Sequence, residues 1–67
     1  MNTTDDRTEA RQVARWVLND NFAKLEEWED ENGSITLYLD SMWDQFADDQ
    51  AMARLLERAY NKWCSEY

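Results

Sequence analysis

The sequence contains no histidine and no proline, one glycine and one cysteine, and each shortage removes a class of structure or chemistry. Without histidine, the commonest general base and the Ser–His and Cys–His nucleophile pairs are unavailable. Without proline, and with glycine only at Gly33, the chain has little of the usual turn punctuation, so long helices are the default expectation. The lone Cys64 has no partner for an internal disulfide, which points to a reducing, cytoplasmic setting. Its place beside the apolar stripe of the last helix reads as a small, partly buried side chain rather than a reactive thiol. No apolar run approaches the ~20 residues of a membrane span. The segment Met1-Asn2-Thr3-Thr4-Asp5-Asp6 is polar and acidic where a signal peptide would be basic and then apolar. A soluble cytoplasmic protein, making no membrane contact, is the expectation.

Metal chemistry fares no better. Asp30-Glu31-Asn32-Gly33 superficially resembles the turn of an EF-hand loop, but with Gly33 at loop position six, Trp28 falls at position one and Leu39 at position twelve, where calcium needs carboxylate oxygens. There is no glycine-rich phosphate loop and no set of soft metal ligands. No cofactor and no enzymatic activity are expected.

What is present is aromatic and acidic. Four Trp, three Tyr and two Phe among 67 residues supply large apolar surfaces to a single domain, residues 1–67, whose size alone makes stability marginal. Three segments carry apolar residues at helical spacing. In the first, Ala10, Val13, Ala14, Val17, Leu18, Leu25 and Trp28 share a stripe, with Thr3 or Thr4 suited to cap it, Asp5 and Asp6 suited to its first turn, and Gly33 suited to stop it. In the second, Ser34 caps a helix in which Ile35, Tyr38, Leu39, Met42, Trp43 and Phe46 recur at intervals of three and four. In the third, Asp48 or Asp49 caps a helix with Met52, Leu55, Leu56, Ala59, Tyr60 and Trp63 on one face.

The expected fold is therefore all-α, a compact bundle of three helices over about 5–31, 35–47 and 49–65. The first would extend about 40 Å against about 20 and 25 Å for its neighbours. Either it breaks at Asn19-Asp20-Asn21, three poor helix formers in a row, or a second copy covers the overhang. The break is the preferred reading. A rival α+β arrangement pairs strands across an Asn32-Gly33 hairpin, since Ile35, Leu37 and Leu39 alternate with Thr36 and Tyr38. Its partner strand, Leu25 to Glu31, would carry five acids and set only Trp28 against them.

Fifteen acids against seven bases give a net charge of −8, which repels nucleic acid and anionic membrane and attracts basic protein surfaces. The charge is segregated: residues 1–19 are neutral, residues 20–49 carry −9, and residues 50–67 carry +1. Glu26, Glu27, Glu29, Asp30 and Glu31 crowd the end of the first helix, where the macrodipole is also negative and like charges recur at i, i+4. Asp40, Asp44 and Asp48 repeat at i, i+4, i+8, and a row at that spacing, continued by Asp49 and the cluster before it, suits a groove built for phosphates. Acidic runs are also the ordinary means of keeping an aromatic-rich domain in solution. Against that stand their concentration in one block and the apolar Trp16 and Leu37, placed off the core stripes as candidate anchors. Arg7, Arg11 and Arg15, and likewise Arg54, Arg58 and Lys62, form two basic rows expected to be solvated or paired across helices.

These residues lead to an expected small inhibitory or regulatory protein that docks its carboxylates on the basic, nucleic-acid-binding surface of a larger protein, without binding nucleic acid directly. Phage or mobile-element anti-CRISPR and anti-restriction inhibitors, nuclease immunity proteins and antitoxins share this charge and size, though no motif here identifies any of them. The expected contacts are Glu26, Glu27, Glu29, Asp30, Glu31, Asp40, Asp44 and Asp48, with Trp16 and Leu37. The alternative is a homodimeric structural or adaptor module.

Overall fold

The computed structural model describes residues 3–67, and side chains from residue 6 onward. The described chain forms four helices, α1 (Thr3–Leu18), α2 (Phe22–Asn32), α3 (Ile35–Gln45) and α4 (Gln50–Glu66), and no strand. The all-helical expectation holds, but the count of three does not, because residues 5–31 form two helices. The proposed Thr3 or Thr4 cap lies outside the described side chains.

The break has a defined geometry. Asp20 takes a positive φ of 57°. The Asn21 amide donates to the Trp16 carbonyl at 2.9 Å, and the Asp20 amide donates to the Val17 carbonyl at 3.2 Å. Those two bonds make a Schellman closure, with an aspartate where glycine is usual. Aspartate is one of the few L-residues that enters this region with tolerable strain. Asn21 then starts α2, its side chain accepting from the Lys24 amide at 3.4 Å. The end of α4 holds the turn from outside. Lys62 donates to the Leu18 carbonyl at 3.0 Å and pairs with Asp20 at 3.3 Å, and the Tyr67 hydroxyl donates to Asp20 and to the Val17 carbonyl. The Cα radius of gyration is 11.0 Å and the longest extent 28 Å. An unbroken helix of ~40 Å would not fit within that length, so the turn removes the overhang that a second copy would otherwise have to cover.

The other ends follow the sequence closely. Gly33 closes α2 with φ 101° and ψ −157°, a conformation essentially confined to glycine, and its amide donates to the Glu29 carbonyl at 2.8 Å. Ser34 caps α3 by accepting from the Leu37 amide at 3.3 Å, which excludes the Asn32-Gly33 hairpin. From Ile35 onward the burial is helical, with Ile35 and Leu39 fully enclosed and Leu37 outside. Of the two candidates to cap α4, Asp49 does so, accepting from the Met52 amide at 3.2 Å.

The core is one cluster drawn from all four helices: Ala10, Val13, Ala14 and Val17 of α1, Leu25 and Trp28 of α2, Ile35 and Leu39 of α3, and Met52, Leu56 and Ala59 of α4, with Phe46. Helix α4 packs along both α1 and α3, while α2 leans chiefly on α1. Only Leu25 and Trp28 of α2 are buried. Trp28 is therefore the main tie of that helix, and its polar edge is also engaged. The indole nitrogen donates to Glu9 at 3.3 Å, the Tyr38 hydroxyl donates to the other Glu9 oxygen at 3.4 Å, and the two rings meet edge to face at 4.6 Å. Burial, with the Glu9 carboxylate next in importance, pushes the Tyr38 hydroxyl pKa well up from its ordinary value. At the same N-terminal end of α3, the Trp63 indole of α4 donates to Thr36 at 2.8 Å.

Two predictions follow from these ties. Trp28→Ala removes a buried aromatic and leaves a cavity, a change that costs about 3–5 kcal/mol in other cores. That is enough to unfold a domain of this size or detach α2, to be read as loss of helical circular dichroism and of a cooperative melt. The second concerns acid. The Tyr67 hydroxyl, followed by Lys62, holds the Asp20 carboxyl below its usual range, and the Arg7 guanidinium, followed by the Met52 amide, does the same for Asp49. A depressed folded-state pKa stabilises the fold above the unfolded value of about 3.9, and the contribution is lost as pH falls through the folded-state value. Asp49→Asn should therefore lose less stability than the parent between about pH 5 and pH 3 in acid-dependent thermal melts.

Candidate acidic interface

The carboxylates singled out by sequence lie on α2, on α3 and in the turn after α3. Glu26, Glu27, Asp30 and Glu31 are exposed and Glu29 is half-buried. They sit on the outward side of α2 because Leu25 and Trp28 turn the opposite side to α1. The helix has no basic residue in its last turn, so Glu29, Asp30 and Glu31 face the negative end of its dipole unrelieved.

Asp40 and Asp44 stand one turn apart on α3 and are exposed, lining a shallow groove with Trp43 and Ala47. Asp48 departs from the expected register. Helix α3 ends at Gln45, two residues short of the expected 47, where the Phe46 amide closes back on the Met42 carbonyl at 2.9 Å. Asp48 is exposed in the turn beyond, so the helical ladder has two aspartates rather than three. Asp49 does not continue it, being engaged as the α4 cap and as the partner of Arg7.

The proposed apolar anchors separate. Leu37 is 71% exposed, seven residues before Asp44 and so on the same side of α3. It also borders a groove lined by Trp28, Tyr38 and Glu9, on the flank of α3 that meets α2. Leu37 is thus exposed beside the α3 acids and next to the groove that Trp28 of α2 borders. Trp16 is not a free anchor. It is half-buried and packed against the core, and its accessible edge borders a groove with Arg11 and Arg15 instead of the carboxylates.

Pairing divides the acids into two sets. The two ion pairs among the described residues, Arg7 with Asp49 and Lys62 with Asp20, each join α4 or its cap to α1 or the end of α1. None of the eight candidate carboxylates has a Lys or Arg nitrogen within 4.0 Å among the described residues, and neither do Asp6, Glu9, Glu57 and Glu66, so what sets the eight apart is their concentration on α2, α3 and the turn after it. Sequence reasoning missed Glu9, whose two oxygens tie Trp28 and Tyr38, since nothing in its spacing distinguishes it from a solvated acid. It also placed Cys64 partly in the core, whereas the thiol is exposed.

Among the described residues no group of three or more Cys, Asp and Glu side chains is placed to hold a metal ion, and no helix is long and apolar enough to cross a membrane. Set against known proteins, the chain matches no protein family, no curated protein and no solved structure.

The conflict at the end of α2 is measurable. Asp30 with Glu26, and Glu31 with Glu27, are like charges one turn apart, and each such pair or dipole conflict costs a few tenths of a kcal/mol to about 1 kcal/mol. Glu31→Lys should raise the denaturation midpoint by an amount of that size, with the helical content unchanged. A fall in midpoint would mean that Glu31 makes a stabilising contact of its own.

Proposed function

We propose that this protein is a small inhibitory or regulatory binder that acts through the carboxylates of α2 and α3. Its target is a basic, nucleic-acid-binding surface of a larger protein. The observation that carries this reading is the concentration of unpaired acids on α2, α3 and the turn after it. The acids at the junctions of α1 and α4 are paired within the chain, while Glu26, Glu27, Glu29, Asp30, Glu31, Asp40, Asp44 and Asp48 are left without a cation and, except for the half-buried Glu29, open to solvent.

A surface that bears electrostatic self-repulsion gains most from a cationic partner. Approaching arginines and lysines relieve the repulsion at the same time as they form charge-assisted hydrogen bonds. Leu37 supplies an exposed apolar contact on the side of α3 that carries Asp44. A protein of this kind occupies the partner's phosphate-binding groove and keeps nucleic acid out, the logic expected of an anti-CRISPR or anti-restriction inhibitor. The absence of histidine supports binding over catalysis.

The test begins with the partner recovered by affinity capture from the native host and identified by mass spectrometry. Binding to it should weaken steeply as salt rises, as it does for a polyanion, and duplex or single-stranded nucleic acid should compete for it. Replacing Asp40, Asp44 and Asp48 together by Asn should lower affinity while leaving the melting curve of the isolated domain close to that of the parent. A complex indifferent to salt, or one that nucleic acid does not displace, would rule out mimicry.

A further inference from the structure

The two basic rows, on helices at opposite ends of the sequence, meet in the folded chain. Arg11 and Arg15 of α1 and Arg54 and Arg58 of α4 line one groove of about 430 Å³, floored by Met52 and Leu55. The outer members of the rows are engaged elsewhere, Arg7 with Asp49 and Lys62 with Asp20. The inner four are all exposed, and among the described residues none makes an ion pair. Four like charges around one groove repel each other, so the free groove is held in an electrostatically unfavourable state that bound carboxylates would relieve.

The floor selects among anions. Met52 is buried, and Leu55 is half-buried beneath the guanidinium groups, so Leu55 is the apolar surface that a ligand filling the groove meets beside the cations. A phosphodiester backbone has nothing to set against Leu55. An acidic amphipathic helix does, and this chain carries one. Leu37, 71% exposed, stands with Asp40 and Asp44 on the outer side of α3, three and seven residues before them. The step from Asp40 to Asp44 is four residues, as are the steps from Arg11 to Arg15 and from Arg54 to Arg58. All three therefore rise by about 6 Å, and the rows match pair for pair.

We propose that the arginine groove of one copy receives the outer face of α3 of a second copy, so that the chain self-associates through Arg–Asp pairs around an apolar plug supplied by Leu37. The net charge of −8 opposes approach at long range. At physiological ionic strength that repulsion is screened beyond about 8 Å, while paired groups in contact are not. Groove and helix face are different patches of the same molecule. The contact is closed by a two-fold axis where the second copy returns it, and runs head to tail where it does not.

The inference goes beyond the docking reading and shares Leu37, Asp40 and Asp44 with it, whereas Arg54 and Arg58 belong to this one alone. Sedimentation velocity of the purified chain at about 150 mM salt should show mass rising above 8.1 kDa from micromolar to millimolar concentration, and a return to monomer at about 1 M salt, where screening reaches down to about 3 Å. Arg54→Glu with Arg58→Glu should weaken association roughly tenfold or more, with unchanged helical circular dichroism and unchanged binding of any captured partner. Asp40→Arg with Asp44→Arg should do the same to association. An equimolar mixture of the two variants should associate again, because the intact groove of one then meets the intact face of the other. A parent chain that stays monomeric throughout, a groove variant that associates like the parent, or a mixture that fails to associate would each overturn the proposal. So would a monomeric parent that binds a single-stranded oligonucleotide through Arg54 and Arg58, which would assign the groove to phosphates.

Discussion

The turn at Asp20 is the constraint on which the rest of the structure depends. A chain without proline has few ways to end a helix abruptly, and its single glycine is used at Gly33. The first break therefore falls to an aspartate in a left-handed conformation, a residue that tolerates this geometry less well than glycine. What holds it there comes from the far end of the chain, where Lys62 and Tyr67 bind Asp20 and the last carbonyls of α1. Withdrawal of the Tyr67 hydroxyl from water, together with its hydrogen bond to Asp20, pushes its pKa up to about 12. The ring is further fixed by stacking on Trp63 at 4.8 Å and by contact with Phe22 at 5.0 Å. Local strain is thus compensated by contacts nearly fifty residues away in sequence.

Because that turn folds α2 back, the charge of the molecule is sorted in space. Helix α4 runs along α1 and α3; its Lys62 pairs with Asp20 after α1, and its Asp49 cap is paired by Arg7 of α1. The carboxylates of α2 and α3 are left over on one part of the surface, and the four inner arginines on another. Neither set is needed to hold the core, which is built from apolar residues with no buried charged side chain among the described residues. The surface is consequently open to selection for binding without immediate loss of the fold. The exception is α2, where acidic residues at the dipole's negative end weaken a helix that already buries only two side chains.

Much of the fold was legible in the residues. Ser34, Gly33 and Asp49 act at the positions their chemistry suggests, since caps and stops depend on interactions within a few residues. Ile35, Leu39, Met52, Leu56 and Ala59 are buried as their spacing requires. The misreadings concern distance. Trp16 was read as an anchor because it lies off the core stripe, and packing half-buries it with Arg11 and Arg15 at its edge. Asp48 was assigned to a ladder by counting fours past the point where α3 ends. Glu9 carried no local signal, because its partners Trp28 and Tyr38 lie 19 and 29 residues away.

By itself the sequence determined that the chain is helical, where three of its helices are bounded on at least one side, that its net charge lies in the central block, and that histidine-based chemistry is absent. Each of these is a property of composition or of short-range spacing, and neither needs a neighbour in space. Tertiary structure alone decided which acids are neutralised, that the α3 acids share a groove with Trp43 and Ala47, and that two separate arginine rows share another. Charge acts through space with a strength set by distance and exposure, and residues such as Arg7 and Asp49, or Arg15 and Arg54, become neighbours only once four helices have packed.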